Sequence, residues 1–327
     1  MRSFLFALVA GSLLFSQGVP QSAPKVDPGL APYVPTQAIT TTVESIGADS
    51  LTDVWEEWRA GFKALQPGAQ FKVNHGLSTA AVKAFMENAS PMIHMARELT
   101  LDEHKAFEKK FGYAPTKVVA CYDAFIVFVN AGNPIKDIGM DQLDAAYSTT
   151  RNGGYKSDST VETWGDLGVR GSDYARRPIH AYMRAEGTAS RTTIQDLVLL
   201  KGKYKPTVKD AVDWPSIAEA VMTDASGLGI GTLSNWLSRN KTLAVAPLQV
   251  KEPVPPTQEN VVSGKYPLSR TYYFYVNRAP GAQLSPAVAE FLSFVLSRQG
   301  QNAVALASLF PLPPDIAQLN RKRLRAN

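Results

Sequence analysis

Four short loops, each placed after a run of β-forming or apolar residues, hold the side chains best suited to chemistry. They are Gly47-Ala48-Asp49-Ser50, Gly76-Leu77-Ser78-Thr79, Met95-Ala96-Arg97-Glu98 and the stretch Arg184-Ala185-Glu186-Gly187-Thr188-Ala189-Ser190-Arg191. Three of them precede helix-patterned sequence. The free backbone N–H groups and positive dipole end of a helix form an anion site, and Ser and Thr hydroxyls complete it. One such loop alone reads more simply as an N-cap. Four of them are different, because loops at the carboxyl ends of the strands in an open α/β sheet converge on one crevice. The chemistry implied is reversible anion capture by hydrogen bonds. Arg184 would end a buried strand, where its planar fork suits a tetrahedral oxyanion. Glu186 could hold that fork in place, or the two could form an ordinary structural ion pair.

Other chemistries fit less well. Gly47-Ala48-Asp49-Ser50-Leu51 brushes against the Gly-Asp-Ser-Leu signature of secreted esterases, but a serine nucleophile needs a histidine base, normally late in the chain. The histidines are His75, His94, His104 and His180, and none follows. His94, Asp102 and His104 lack the i, i+4 pairing of a helical zinc motif, so no metal site is expected. Gly227-Leu228-Gly229-Ile230-Gly231 departs from the dinucleotide fingerprint, whose third glycine falls three after the second, and reads as a turn beside a strand.

The elements that must position the loops alternate between strand and helix. Thr41 to Ile46 reads as a strand, and Leu51 to Leu65 as a helix with Leu51, Val54, Trp55, Trp58 and Phe62 on one face. Phe71 to Asn74 leads into a helix from about Thr79 to Met86, and Met92 to Met95 precedes a helix over Glu98 to Phe111. Val118 to Val129 is nearly continuous apolar sequence interrupted only by Asp123, suited to a buried strand crossing between lobes. Strand Ile179 to Met183, helix Arg191 to Leu200 and the Gly-rich strand near Gly227 follow. Val245 to Val250 could cross back. Strand Thr271 to Val276 and helices near Pro286 to Arg298 and Gln301 to Ala307 would finish the fold. The alternation argues for mostly parallel sheets flanked by helices.

With 327 residues, 45% hydrophobic and 19% charged, the chain has enough apolar sequence for two cores rather than a disordered polymer. Arg2 followed by the apolar run Phe4 to Phe15 reads as a cleavable secretory leader with a cleavage site near Ser16-Gln17-Gly18 or Gln21-Ser22-Ala23. The run is about 12 residues, short of the roughly 20 a span needs, and the leader holds no lipidation cysteine. Cys121 has no partner for an internal disulfide and reads as a small core filler. The net charge of +5 is spread out apart from Arg321, Lys322, Arg323 and Arg325. That cluster lacks interleaved aromatics, so it reads as a solvated terminus and nucleic acid is not expected.

Taken in order and spacing, these pieces resemble the PstS-type periplasmic phosphate-binding proteins over about Thr41 to Pro314. The likeness is carried by the four loops together with Asn133-Pro134-Ile135, Thr163 to Gly168, Tyr266-Pro267-Leu268-Ser269-Arg270 and Phe291 to Gln301. It implies an α/β periplasmic-binding-protein fold of two lobes, each a mixed, mostly parallel sheet flanked by helices, joined by two hinge crossovers. The expected layout is a signal peptide at 1–23, a Pro-rich linker at 24–39, lobe 1 at 40–127 and 246–327, and lobe 2 at 128–245, hinged near 125–130 and 243–248. The resemblance further implies a periplasmic, non-enzymatic monomer, without cofactor or metal, that binds inorganic phosphate or a similar oxyanion and passes it to an ABC transporter permease. Carried over residue by residue, it puts Asp49 and Ser50, Ser78 and Thr79, Arg97, and Arg184 with Thr188, Ala189 and Ser190 around the ligand, with Glu186 orienting Arg184. The chain departs from the family where Ala189 replaces a glycine, where Ala48 and Ala96 replace serines, and where Arg97 occupies a place some members give to an aspartate. Those departures leave open another oxyanion, or an accessory or adhesive protein that kept the fold.

Overall fold

The computed structural model describes residues 23–156, 160–171, 173–233 and 240–325. The leader and its candidate cleavage sites lie outside the described residues, apart from Ala23. The first part of the chain runs β1 (Thr42–Ala48), α1 (Thr52–Leu65), β2 (Gln70–Gly76), α2 (Ser78–Met86), β3 (Met92–Met95), α3 (Leu101–Phe111) and β4 (Thr116–Asn130). The middle holds β5 (Asp137–Gly139), α4 (Met140–Tyr147), β6 (His180–Arg184), α5 (Ala189–Leu197), β7 (Lys209–Ala211), α6 (Trp214–Thr223), β8 (Gly227–Thr232), β9 (Asn240–Thr242), β10 (Ala244–Ala246) and α7 (Gln258–Val262). It closes with β11 (Ser269–Val276), α8 (Pro286–Val295), α9 (Arg298–Leu306) and α10 (Pro314–Arg325).

One strand belongs to both halves of the molecule. The first part of β4 pairs antiparallel with β11, and from Phe125 onward it pairs with β8 and β9. The sheet order is β2-β1-β3-β11-β4-β8-β6-β7. Pairing is parallel among the outer strands β1, β2 and β3 and among β6, β7 and β8, and antiparallel where β11 and β4 run through the middle. Residues of β4 are accordingly apolar on both faces. Val118, Ala120 and Cys121 enter one core and Phe125, Val127 and Val129 the other.

The first core is aromatic. Trp55, Trp58 and Phe62 recur on one face of α1, and Trp55 stacks on Phe291 of α8 with centroids 4.9 Å apart. Phe85 and Phe107 cover the opposite sheet face. Helix α3 starts later than apolar periodicity suggests, because Thr100 and Glu103 form a reciprocal capping box, and it stops at left-handed Gly112. In a separate small cluster, where Ile126 and Phe128 of β4 meet Ile217, Ala218 and Val221 of α6, Gly229 and Gly231 lie against the Phe128 ring, where a Cβ would come within 2.6 Å and 2.9 Å of it. The Gly-rich run is therefore a strand thinned to admit a ring, not a turn.

Two sequence expectations are corrected. The return crossover is at Leu268 to Arg270, not 243–248: β10 pairs with β5, Val245 and Val254 exchange hydrogen bonds, and Val261, Tyr266 and Leu268 fill the second core. The Pro-rich stretch is not a free linker. Leu30, Tyr33 and Ile39 are buried, the Tyr33 hydroxyl donates to Glu290 at 2.5 Å, and the Ile39 N–H donates to Gln66 Oε1 at 3.0 Å. At the basic terminus Lys322, Arg323 and Arg325 are exposed, as expected of a solvated cluster, but the segment is anchored as α10, whose buried Asn320 exchanges hydrogen bonds with the Val119 backbone of β4 while Arg321 donates to the Leu296 carbonyl. Among the described residues no helix is long and apolar enough to cross a membrane.

Strand β1 can lie flat against β3 because Gly47 has no side chain. A Cβ there would fall 1.9 Å from the His94 carbonyl oxygen and 2.3 Å from its ring. Gly47→Ala should destabilise the protein by about 1–3 kcal/mol through overpacking, read as a lower urea midpoint at unchanged m-value.

Candidate functional site

A cavity of 460 Å³ opens between the two cores, with the crossover strands as its floor. The first core contributes Ala48, Asp49 and Ser50 after β1, Asp53 and Val54 of α1, Gly76, Leu77 and Ser78 at the start of α2, and Ala96 after β3. The second contributes Arg184, Gly187, Thr188, Ala189, Ser190, Thr193, Trp214 and Thr232. Asp123, Arg270 and Tyr272 form the floor.

The N-termini of α2 and α5 and the turn into α1 thus face one space, and their leading N–H groups have no acceptor within their own helices. At α5 the cap is Thr188, whose hydroxyl accepts from the Arg191 N–H at 3.4 Å and donates to the Ala185 carbonyl at 2.8 Å. Gly187 precedes it at φ +85°, a left-handed conformation suited to glycine. Thr188 is therefore committed to the loop, while Ala189 and Ser190 present backbone donors.

Of the residues named from sequence, Asp49, Ser50, Ser78, Arg184, Thr188, Ala189 and Ser190 line the cavity; Thr79, Arg97 and Glu186 do not. Arg97 is turned to Glu103, which its guanidinium meets at 2.7 and 2.8 Å. That pairing lowers the Glu103 pKa and raises that of Arg97, and it ties the arginine to the cap of α3. Thr79 is exposed on the first turn of α2, beside Ser78 but off the cavity wall. Glu186 is exposed and makes no described ion pair with Arg184. The fourth loop is braced instead by Arg191, which donates to the Arg184 carbonyl at 2.8 Å and to Asp210 at 2.5 Å. Arg184 is left with its Nε buried and unpartnered among the described residues, its guanidinium carbon 5.3 Å from the Trp214 ring centroid.

Sequence reasoning missed the floor. Asp123 and Arg270 lie directly opposite each other on β4 and β11 and form an ion pair, with side chains 2% and 11% exposed. Tyr272 donates to Asp123 at 2.7 Å and is also hydrogen-bonded to Ser50, so the floor is tied to the first loop. Burial opposes the Arg270 charge, yet the Asp123 carboxylate beside it holds the pKa above the ordinary arginine value. The available signal was the lone charge in the apolar run of β4, since unpaired buried carboxylates are costly.

Behind the first loop, fully buried His94 bonds Ser45 through Nδ1 at 2.8 Å and His75 through Nε2 at 3.2 Å. His75 also bonds the Ala48 backbone. Burial and the neighbouring His75 push the His94 pKa down to about 3. The Ser50 hydroxyl engages Tyr272, and no described histidine bonds it. No group of three or more His, Cys, Asp or Glu suited to a metal ion occurs among the described residues.

Comparison with known proteins places this geometry. A family model described as a PBP superfamily domain matches residues 21–299. The phosphate-binding protein PstS of Pseudomonas aeruginosa is 34% identical over 307 residues, covering 94% of each chain. Among solved structures, an ABC-type phosphate transport receptor from Vibrio cholerae aligns with a TM-score of 0.66 at 17% identity, covering 83% of this chain and 100% of that one. PstS from Borrelia burgdorferi aligns at 0.63 and 17%, covering 84% and 99%. These two structural likenesses carry the two-lobed fold.

The histidine pair gives a pH dependence of known sign. Because the folded pKa of His94 is depressed, the unfolded chain binds its proton first, so stability is fully present above about pH 6.5 and is lost as pH falls toward 3. Thermal unfolding should show a midpoint falling through that window, with a shallower fall in His94→Gln.

Proposed function

We propose a capture function for this chain, which belongs to the PBP superfamily and to the family of the phosphate-binding protein PstS: it closes two lobes on hydrogen phosphate and delivers it to an ABC transporter permease. The observation that carries this reading is the cavity between the cores, lined on one side by Arg184 and on the other by the hydroxyls and N–H groups of the first and second loops. No covalent step is required, and the protein acts as a binder rather than an enzyme. It works as a periplasmic monomer after removal of its leader.

The open cavity favours closure as part of binding. Its 460 Å³ is many times the roughly 30 Å³ that a water occupies in the liquid, so Arg184 and the first loop must approach for both to touch one small anion. Excluding water then strengthens each hydrogen bond. Ala189 still offers its backbone N–H, so the exchange of glycine for alanine keeps a donor while limiting how closely the backbone can approach.

The carboxylates lining the cavity bear on selectivity. Asp49, Asp53 and Asp123 all line the cavity. An ionised carboxylate only accepts hydrogen bonds, so it favours a ligand that still carries a proton, as hydrogen phosphate and arsenate do near neutral pH, over fully ionised sulfate. This supports a preference for phosphate-like oxyanions.

Calorimetric titration of the leaderless protein tests the reading. Phosphate should bind one to one, with sulfate at least about 100-fold weaker, and Arg184→Ala should cost about 2 kcal/mol or more. No heat with phosphate, sulfate or arsenate would show that the fold has been kept for another role.

A further inference from the structure

We infer that Arg270 is a second anion-binding guanidinium, set on the crossover strands rather than on either lobe. The inference rests on the oxyanion-capture reading above and adds a residue to it. Its Nη2 already donates to Asp123 and, at 3.0 Å, to the Tyr272 hydroxyl. An arginine has five N–H donors in a fixed fork, and this one has donors to spare: Nε is buried without a partner, and no described hydrogen bond uses Nη1. The guanidinium carbon lies over the Phe125 ring, 3.9 Å from its centroid. Arg270 is nine-tenths buried and still lines the cavity.

A buried ion pair with a purely structural task could be replaced by apolar residues with little loss. Here Nε is sealed off, whereas Nη1 is not among the buried unpartnered atoms and is the donor left for the cleft that Arg270 lines. Register adds a mechanical consequence. Arg270 faces Asp123 one residue before the last β4–β11 pair, Ser269 with Ala124, and β4 passes to β8 from Phe125. An anion on Arg270 therefore sits where the first sheet gives way to the second. Its position does not depend on closure, whereas Arg184 arrives with the second lobe. Arg270 and the first loop receive the anion in the open state, and Arg184 completes the shell.

The experiment is calorimetry with phosphate, arsenate and sulfate, joined to solution scattering, on the leaderless wild type and three variants. Arg184→Gln should keep weakened binding without compaction. Arg270→Gln combined with Asp123→Asn removes both charges, leaves no lone buried ion, and should weaken phosphate on the order of 100-fold while unfolding cooperatively. Arg270→Lys keeps a cation for Asp123 but loses the planar fork, and should lose about tenfold; it decides the matter should the double variant fail to fold. Wild-type binding retained within about threefold in the Arg270 variants would overturn the inference and leave the capture reading standing. Absence of binding to any oxyanion by the wild type would overturn both.

Discussion

A fifteen-residue strand shared by two sheets constrains everything else in this protein. At about 3.3 Å per residue it is roughly 50 Å long, more than one lobe can cover, so its backbone groups must be satisfied by β11 at one end and by β8 and β9 at the other. That sharing places the two cores side by side and leaves a gap above the handover. It also explains the burial of β4 on both faces and the sensitivity of its few polar residues. Asp123 is tolerated there because Arg270 and Tyr272 meet it from the neighbouring strand.

The gap is furnished chiefly by backbone. Side-chain charge alone would not make it an anion site, since Asp49, Asp53 and Asp123 stand beside Arg184 and Arg270. What tips the balance is the convergence of helix N-termini, whose N–H groups carry no counter-charge of their own and are fixed before any ligand arrives. The substitutions that set this chain apart, Ala48, Ala96 and Ala189, remove hydroxyls or add a methyl but leave N–H groups in place. Rigidity comes from behind: the Ser45–His94–His75 chain backs the first loop, and Arg191 with Asp210 braces the fourth.

The sequence alone carried the strand-helix alternation, the aromatic face of α1, the buried nature of β4 and the loops that reach the cleft, because each follows from local periodicity or from residues close in the chain. It did not reveal the partners of Arg97 and Glu186, which the family resemblance had put at the ligand: the capping-box Glu103 pairs with Arg97, and Arg191 rather than Glu186 donates to the Arg184 carbonyl. It also sent the chain back to the first lobe too early, because the prolines after Val250 look like an exit whereas the Val245–Val254 bridge holds the segment in place.

What only the tertiary structure decided is the floor of the site. Asp123 and Arg270 are 147 residues apart, and nothing local in either segment says that the other will lie across from it. Their meeting depends on the antiparallel register of β4 and β11, which is set by packing on both sheet faces. Sequence determined which elements form and which loops carry donors, because hydrogen bonding and side-chain spacing within an element are local. Which donors remain unspent, and which are consumed by a neighbour, was decided when distant strands came into register.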